Sequence, residues 1–488
     1  MNIQEAREEI IETLRAYTAR DEAGCFRIPT VRQRPLLIMG PPGIGKTAVV
    51  EQAARICGVG LVSYAMTHHT RQSAVGLPQL VQHKYGEKSC TVTEYTMSEI
   101  VASIYDYMEA TGFREGILFL DEINCVSETL APTMLQLLQF KMFGTHRVPE
   151  GWIIVAAGNP PEFNHAVREL DMAALDRVRT LEVEADVRIW QSYAVERGIH
   201  PAVLSYLEMK PEQFYQVTET RKKKEFVTAR GWEDLSAVLK EYERQGLAVG
   251  TSFMSEFLSN PEVAADFDTY YRMDRKFQGR YRLPELLDGK LPESEETELM
   301  QNLQQEGKDA ACMCVHHLLA AVSERMTSYG IHVRQQKRLQ EVLSYRDRYF
   351  TEHGEGTLRE FLEQRKKELR VRKEHGLLKD QEERLEQWVD RQLLDGMDDS
   401  LPGKHSMEEE KKAVLAAMNR GTDFLVHAFG TDLELSDWLW GLKHHGDYRL
   451  FGFQRPEYDH ITEEKDLEKK LRDQLKEMEE QYETCNRI

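Results

Sequence analysis

The chain has 488 residues, 41% of them hydrophobic and 30% charged, which is material for about three packed domains with a heavily solvated exterior. Lys plus Arg total 63 against 82 Asp plus Glu, a formal charge of −19, and a surface this acidic repels nucleic acid and anionic lipid as a whole. The seven cysteines are few, odd in number and scattered, so they imply no disulfide framework. No apolar run approaches the roughly 20 residues of a membrane span, and the reading is a soluble cytoplasmic protein.

The opening "MNIQEAREEIIETLRAY" reads as an amphipathic acidic helix rather than a signal peptide. Residues 36–39 are a short buried strand, followed by a glycine-rich turn and by a helix, "TAVVEQAARICG", that ends at Gly58. "LVSYAM" is a second strand, and "TMSEIVASIYDYMEATG" is a helix that stops at Gly112. "GILFLDEIN" and "IIVAAGN" are continuous apolar strands, as expected in a sheet covered on both faces. Between them lie the helix "SETLAPTMLQLLQF" and a hairpin, "KMFGTHRVPEGW"; "RTLEVEA" is one more strand. This alternation predicts a parallel α/β domain over residues 1–185.

Beyond Ala185 the pattern turns helical with no convincing strand. "PEQFYQVTETRKKKEF" reads as a polar connection, "TARGWEDLSAVLKEYERQG" as a helix, and "YRLPELLDGK" as a loop that closes a helical domain over 186–294. An acidic helical C-terminal region, 295–488, follows, with breaks at "EHGEGT", "LPGKHS" and "FGFQRPEYD". Its last helix carries Leu471, Leu475, Met478 and Tyr482 at helical spacing, too short a run for a coiled coil.

The chemistry concentrates in three places. Gly40-x-x-x-x-Gly45-Lys46-Thr47, after a strand and before a helix, matches the P-loop pattern. Gly40, Gly43 and Gly45 let the backbone turn its amides toward phosphate oxygens, and the helix adds its positive end. Lys46 would reach the β/γ-phosphates and the Thr47 hydroxyl would bind Mg²⁺. Gly40, Pro41, Pro42, Gly43, Ile44, Gly45, Lys46, Thr47 and Ala48 are thus the candidate ATP-binding set, together with Asp121. Asp121 and Glu122 end a strand at the carboxyl edge of the sheet, where ligands sit in such folds. Asp121 would hold Mg²⁺ through water, and Glu122 would polarise the attacking water as general base. Asn159 ends a buried strand in the same way, and its neutral amide can orient that water without quenching the Glu122 charge.

Together, "GPPGIGKT", "LFLDEIN", "VAAGNPPEF" and "ALDRV" resemble the MoxR-type branch of the AAA+ ATPases. The resemblance covers about residues 30–290. It implies a P-loop AAA+ parallel-sheet core, an α-helical lid, and a ring-forming, usually hexameric, ATP-driven remodeller of a protein client, often acting with a protein that bears a von Willebrand A domain. By the same resemblance Asn159 takes the sensor-1 position, Arg177 the arginine finger, with Arg179 as the alternative, and Arg230 the sensor-2 arginine. The hairpin "KMFGTHRVPEGW" matches the pre-sensor-1 insertion, and "RQSAVGLP" lies where the branch places a loop facing the ring interior. The long C-terminal region departs from the family. Two alternatives of other classes stay open at this stage: a ring-type nucleic-acid motor, which the acidic balance disfavours, and a low-turnover ATP-gated scaffold, which intact Glu122, Asn159 and Arg177 disfavour.

Four further stretches carry competing readings. In "CMCVHH", Cys312 and Cys314 would face nearly opposite sides of a helix, whereas Cys312 and His316 could share an ion; two ligands do not close a site, and core packing is preferred. "RKKKEF" reads as a solvated tip. His68, His69 and Arg71 read as a surface loop, with a pore-facing or substrate role as the alternative. The aromatic "DWLWGLKHHGDYRLFGF" is either a small core of the C-terminal region or a docking surface.

Overall fold

The computed structural model describes residues 1–68, 74, 76–86, 88–143, 146–163, 172–219, 224–353, 358–374, 378, 380–394 and 404–461. His69, four residues of "RQSAVGLP" (Arg71, Gln72, Ser73 and Val75), the start of "RKKKEF", and Leu471, Leu475, Met478 and Tyr482 lie outside these residues. Two compact units divide the chain. The first comprises residues 1–189, 228–230 and 362–380; the second comprises 190–227, 231–361 and 381–488.

In the first unit, strands β1 (Leu36–Met39), β2 (Gly60–Ala65), β5 (Gly116–Asp121), β8 (Trp152–Gly158) and β9 (Arg179–Glu182) form one sheet. The order is β2-β5-β8-β1-β9, and every pair is parallel. Three short hairpins accompany it or lie further along the chain: β3 (Pro78–Tyr85) with β4 (Lys88–Tyr95), β6 (Met142–Phe143) with β7 (His146–Arg147), and β10 (Gln216–Glu219) with β11 (Lys224–Val227).

Side chains alternate across a strand, so the continuous apolar runs supply two cores at once. Leu36, Ile38, Ile117, Phe119, Val155 and Ala157 pack with helices Ile3–Thr18 and Lys46–Cys57 on one face. Leu37, Leu118, Leu120, Ile154 and Ala156 pack with helices Glu99–Thr111 and Ala131–Phe140 on the other. The N-terminal helix is held by a capping box between Asn2 and Glu5 and by Arg179, which donates to Thr13 Oγ1 at 2.8 Å and pairs with Glu9.

Two sequence expectations are corrected here. The segment "PEQFYQVTETRKKKEF" is not a plain polar connection, since Gln216–Glu219 pairs antiparallel with Lys224–Val227, and "YRLPELLDGK" is not a loop, since Leu283–Asp288 is a short helix. Sequence reading also missed β3–β4, whose turn is made by Gly86 at φ 64°. In the second unit, helix Lys308–His353 packs against Pro201–Met209, Leu283–Asp288 and Lys404–Phe429, so these parts of the segments expected as lid and C-terminal region share one compact body, while 228–230 and 362–380 belong to the first. The aromatic stretch near residue 440 serves that body's core. Trp438 is fully buried and donates to Thr422 Oγ1 at 2.9 Å, and Phe451 packs on Tyr329.

Trp152 opens β8 and is fully buried, with its ring against β5 and edge-on to Tyr107. A Cβ on Gly116 would lie 2.7 Å from that ring, so the glycine makes the room that the indole fills. Trp152→Ala should therefore cost about 3–5 kcal/mol, the scale for emptying such a site. Urea unfolding should show a lower midpoint with an unchanged slope.

Candidate nucleotide-binding and hydrolysis site

The sheet order places β5, β8 and β1 side by side, and the register levels their carboxyl ends. Met39 pairs with Gly158 and Leu120 with Ala156, so the turn after β1, Asn159 after β8 and Asp121 at the end of β5 emerge along one edge. Backbone shape then finishes the turn. Gly43 and Gly45 have φ values of 77° and 97°, in the left-handed region that side chains disfavour. A Cβ on Gly40 would lie 2.5 Å from the Val183 carbonyl oxygen, so the turn is held tight against the segment after β9. The helix begins at Lys46, and the backbone N–H groups of its first turn have no intrahelical acceptor.

Lys46 is only 8% exposed. Its Nζ donates to the carbonyl oxygens of Gly40 and Pro41 and to Asn159 Oδ1, each at 2.8 Å. All three ammonium donors thus meet neutral oxygens. Burial is the main reason that its pKa falls to about 8; Asp121 opposes the fall, Arg230 adds to it, and Glu122 opposes it again. Thr47 Oγ1 donates to Asp121 Oδ2 at 2.8 Å. A hydroxyl and a carboxylate side by side are hard oxygen donors of the kind that Mg²⁺ takes, so the residues present fit that ion.

Glu122 follows with φ 55°, one of two non-glycine residues with positive φ among the described residues, and its backbone N–H donates to Asp121 Oδ1 at 2.9 Å. A residue held in this region away from glycine stores strain of the sort that gathers at working sites. Thr228 and Arg230 belong to the same compact unit as the turn, and a Cβ on Gly43 would come within 3.2 Å of Thr228. Arg230 is exposed and close enough to act on Lys46 electrostatically.

Arg177 lies elsewhere. Arg179 pairs with Leu36 at the amino end of β1, and Arg177 precedes it by two residues. The four residues of β1 alone span roughly 13 Å, and the phosphate turn lies beyond their far end. Arg177 thus precedes β9 at its amino end, and Arg179 is committed to the N-terminal helix.

Sequence reasoning quoted Asn124 but gave it no role. Its side chain is buried in the turn after Asp121, where Nδ2 donates to the Asn159 carbonyl at 2.7 Å and Oδ1 accepts from the Asn159 N–H at 3.3 Å. Gly158 leaves the space for it, since a Cβ there would lie 2.7 Å from Asn124 Oδ1. The available signal was an amide three residues after a strand-ending Asp, which means little until β8 is known to lie beside β5.

A glycine-rich turn with a buried lysine, closed by a strand-end carboxylate and an asparagine amide at the carboxyl edge of a parallel sheet, defines a P-loop nucleotide-binding domain. Residues 35–178 match the family described as AAA domain, dynein-related subfamily, and this part of the chain is an AAA+ P-loop ATPase domain. No curated protein matches the chain. Two solved structures of Thermotoga maritima RuvB mutants are similar to it, at 13% and 15% identity. Each covers 59% of this chain, with 77% and 78% of their own chains matched, and each has a TM-score of 0.31, too low to bear on the reading. Among the described residues no helix is long and apolar enough to cross a membrane.

Asn124→Ala should lower ATP turnover by about tenfold or more while weakening ATP binding less, because it frees the Asn159 backbone without touching the P-loop. Arg179→Ala should leave turnover close to wild type and lower thermal stability, because its partners hold a helix. Steady-state phosphate release and a melting curve check both.

Proposed function

We propose that the protein is a MoxR-type AAA+ ATPase that couples Mg·ATP hydrolysis to remodelling of a protein client. The observation that carries the reading is the cluster of Lys46, Thr47, Asp121 and Asn159 joined by 2.8 Å hydrogen bonds at one sheet edge. Lys46 would exchange its neutral oxygens for β/γ-phosphate oxygens. Thr47 and Asp121 would hold Mg²⁺, whose charge offsets that of the phosphates. Glu122 would take the proton from the attacking water, and Asn159, set by Asn124, would orient that water. Arg230 would report on the γ-phosphate.

The branch assignment rests on the motif set and is supported by the β6–β7 hairpin before β8 and by the exposed β3–β4 hairpin, where Leu80 is 74% exposed. On this reading the protein forms a ring, six subunits being the family's habit. Residues 1–185 bind nucleotide, 186–294 form the lid, and 295–488 form a further helical region. Its client is a protein, with a von Willebrand A domain partner by analogy, and it works in the cytoplasm. In the ring Arg177, poorly placed for its own phosphates, would face those of a neighbour. A finger of this kind is worth roughly 10³–10⁵ in rate.

Glu122→Gln keeps size and removes the base, so ATP binding should survive while turnover falls by roughly 10²–10⁴. Unchanged turnover would mean that the water is activated elsewhere. Arg177→Ala and Lys46→Ala subunits should each be nearly inactive alone and recover part of the activity when mixed, because one interface then joins an intact P-loop to an intact finger. A mixture that exchanges subunits and stays dead contradicts the shared site.

A further inference from the structure

Helices Pro201–Met209 and Lys308–His353 pack together in the second unit, far along the sequence from the P-loop. At their contact Glu208, Cys312 and His316 each bring one ligand atom within 4.8 Å of the other two. Cys312 and His316 are four residues apart on one helix and so share a face, while the buried Cys314 belongs to another. The sequence offers only this pair; the third ligand comes from a helix about a hundred residues earlier and becomes visible only once the two helices pack.

His316 is 7% exposed. Its Nε2 lies 2.6 Å from Glu208 Oε2, but its Nδ1 is buried without a hydrogen-bond partner. Buried ring nitrogens are normally satisfied, and an orphaned one calls for an explanation. The neighbouring His317 makes the contrast: its Nε2 lies 2.7 Å from the buried Asp274, and Gln278 also reaches its ring. The carboxylates of Glu208, Asp309 and Glu434 lie close enough to Cys312 to act on it electrostatically, so a dication there would meet a negative field. The Glu208 side chain is 31% exposed, which leaves one side open to water.

We infer that Glu208, Cys312 and His316 form a transition-metal site of the zinc type. Thiolate, imidazole and carboxylate are the donors that Zn²⁺ and Co²⁺ accept, and a thiolate with an imidazole discriminates against Mg²⁺ and Ca²⁺. Three protein ligands with water in the fourth position complete a tetrahedron. His316 gives one ring nitrogen, Glu208 one carboxylate oxygen and Cys312 its sulfur, and the Cys312 thiol proton leaves to solvent. Its effect is to pin Pro201–Met209 to Lys308–His353, which joins the segment proposed as the lid to the C-terminal region.

The test uses the full chain, stripped with chelator and free of nucleotide and Mg²⁺, titrated with Zn²⁺ against a competing chromophoric chelator and with Co²⁺ as a spectroscopic probe. The expected result is one tight Zn²⁺ per chain, a thiolate-to-cobalt charge-transfer band, and a higher melting temperature with Zn²⁺. Loss of groups that merely orient a ligand costs 10–100-fold in metal affinity, so Cys312→Ser should cost at least about 100-fold and abolish the band. Cys314→Ser should keep both. Glu208→Gln, an isosteric change at a partly exposed position, should weaken Zn²⁺ at least about 10-fold and decides the question even if a buried variant misfolds. Absence of a tight Zn²⁺ equivalent in the folded wild type overturns the inference, as does affinity unchanged by Glu208→Gln and Cys312→Ser.

Discussion

The lysine at the base of the phosphate turn is a cation placed where water scarcely reaches it. Burying a charge costs several kcal/mol unless hydrogen bonds and counter-charges compensate, and Lys46 obtains three oxygen acceptors from two different strand ends. This need governs the surrounding architecture. β1 must end where the turn folds back over the ammonium, and β8 must end level with it so that Asn159 can supply the third oxygen. β5 must follow β8 in the sheet so that Asp121 can reach Thr47 and lend its charge. The parallel order β2-β5-β8-β1-β9 meets all three conditions, and the two apolar cores fix the strands that carry them. The same ammonium explains why Asn124 is buried: it clamps the backbone of the residue that helps to hold the cation.

The legible part of this site was the part written in local sequence. The glycines, Lys46 and Thr47 are contiguous, because a turn that wraps a phosphate is a local object, and Asp121 and Asn159 each close an apolar run that only a doubly covered strand explains. What escaped reading depends on neighbours in space. Asn124 acquires its partner only when β8 lies beside β5, and Glu208 meets Cys312 and His316 only when two distant helices pack. The missed hairpins have another cause. β3–β4 is exposed along almost its whole length, and β10–β11 mixes Lys, Glu and Thr, so neither shows the apolar alternation that a core-facing strand must have. The motif ranks Arg177 ahead of Arg179, and what it could not show is that Arg179 is engaged by Glu9 and Thr13 of the N-terminal helix.

In the second unit, buried polar groups come in partnered sets. His200 meets Glu243, which also accepts from Tyr271 and Arg275, and the buried Asp268 is held by Arg272 and Thr251. The Glu243 carboxyl lies below its usual range because His200, Tyr271 and Arg275 together outweigh the opposing effect of its burial. Helices whose exposed faces carry this much charge gain little from single surface pairs. Their order comes from Trp232, Phe267 and Trp438, each fully buried. Among the described residues of this unit two buried side-chain atoms depart from that background, His316 Nδ1 and Gln392 Oε1, neither of which has a hydrogen-bond partner.

Lys46 is a cation whose pKa burial lowers to about 8 in the free protein, and it must be charged to hold phosphate. Its pKa of about 8 in the free chain is set chiefly by burial, and a bound polyanion favours the ammonium and raises it. Above pH 8, ATP binding must therefore take up a proton, and affinity must fall as pH rises through that range. The direct measurement is calorimetric ATP titration of the Glu122→Gln chain at pH 6.5 and pH 9 in buffers of different ionisation heat. The account predicts uptake approaching one proton per nucleotide at pH 9, weaker binding there than at pH 6.5, and no such uptake in Lys46→Arg, whose guanidinium stays charged. Tight binding at pH 9 with no proton uptake would contradict it.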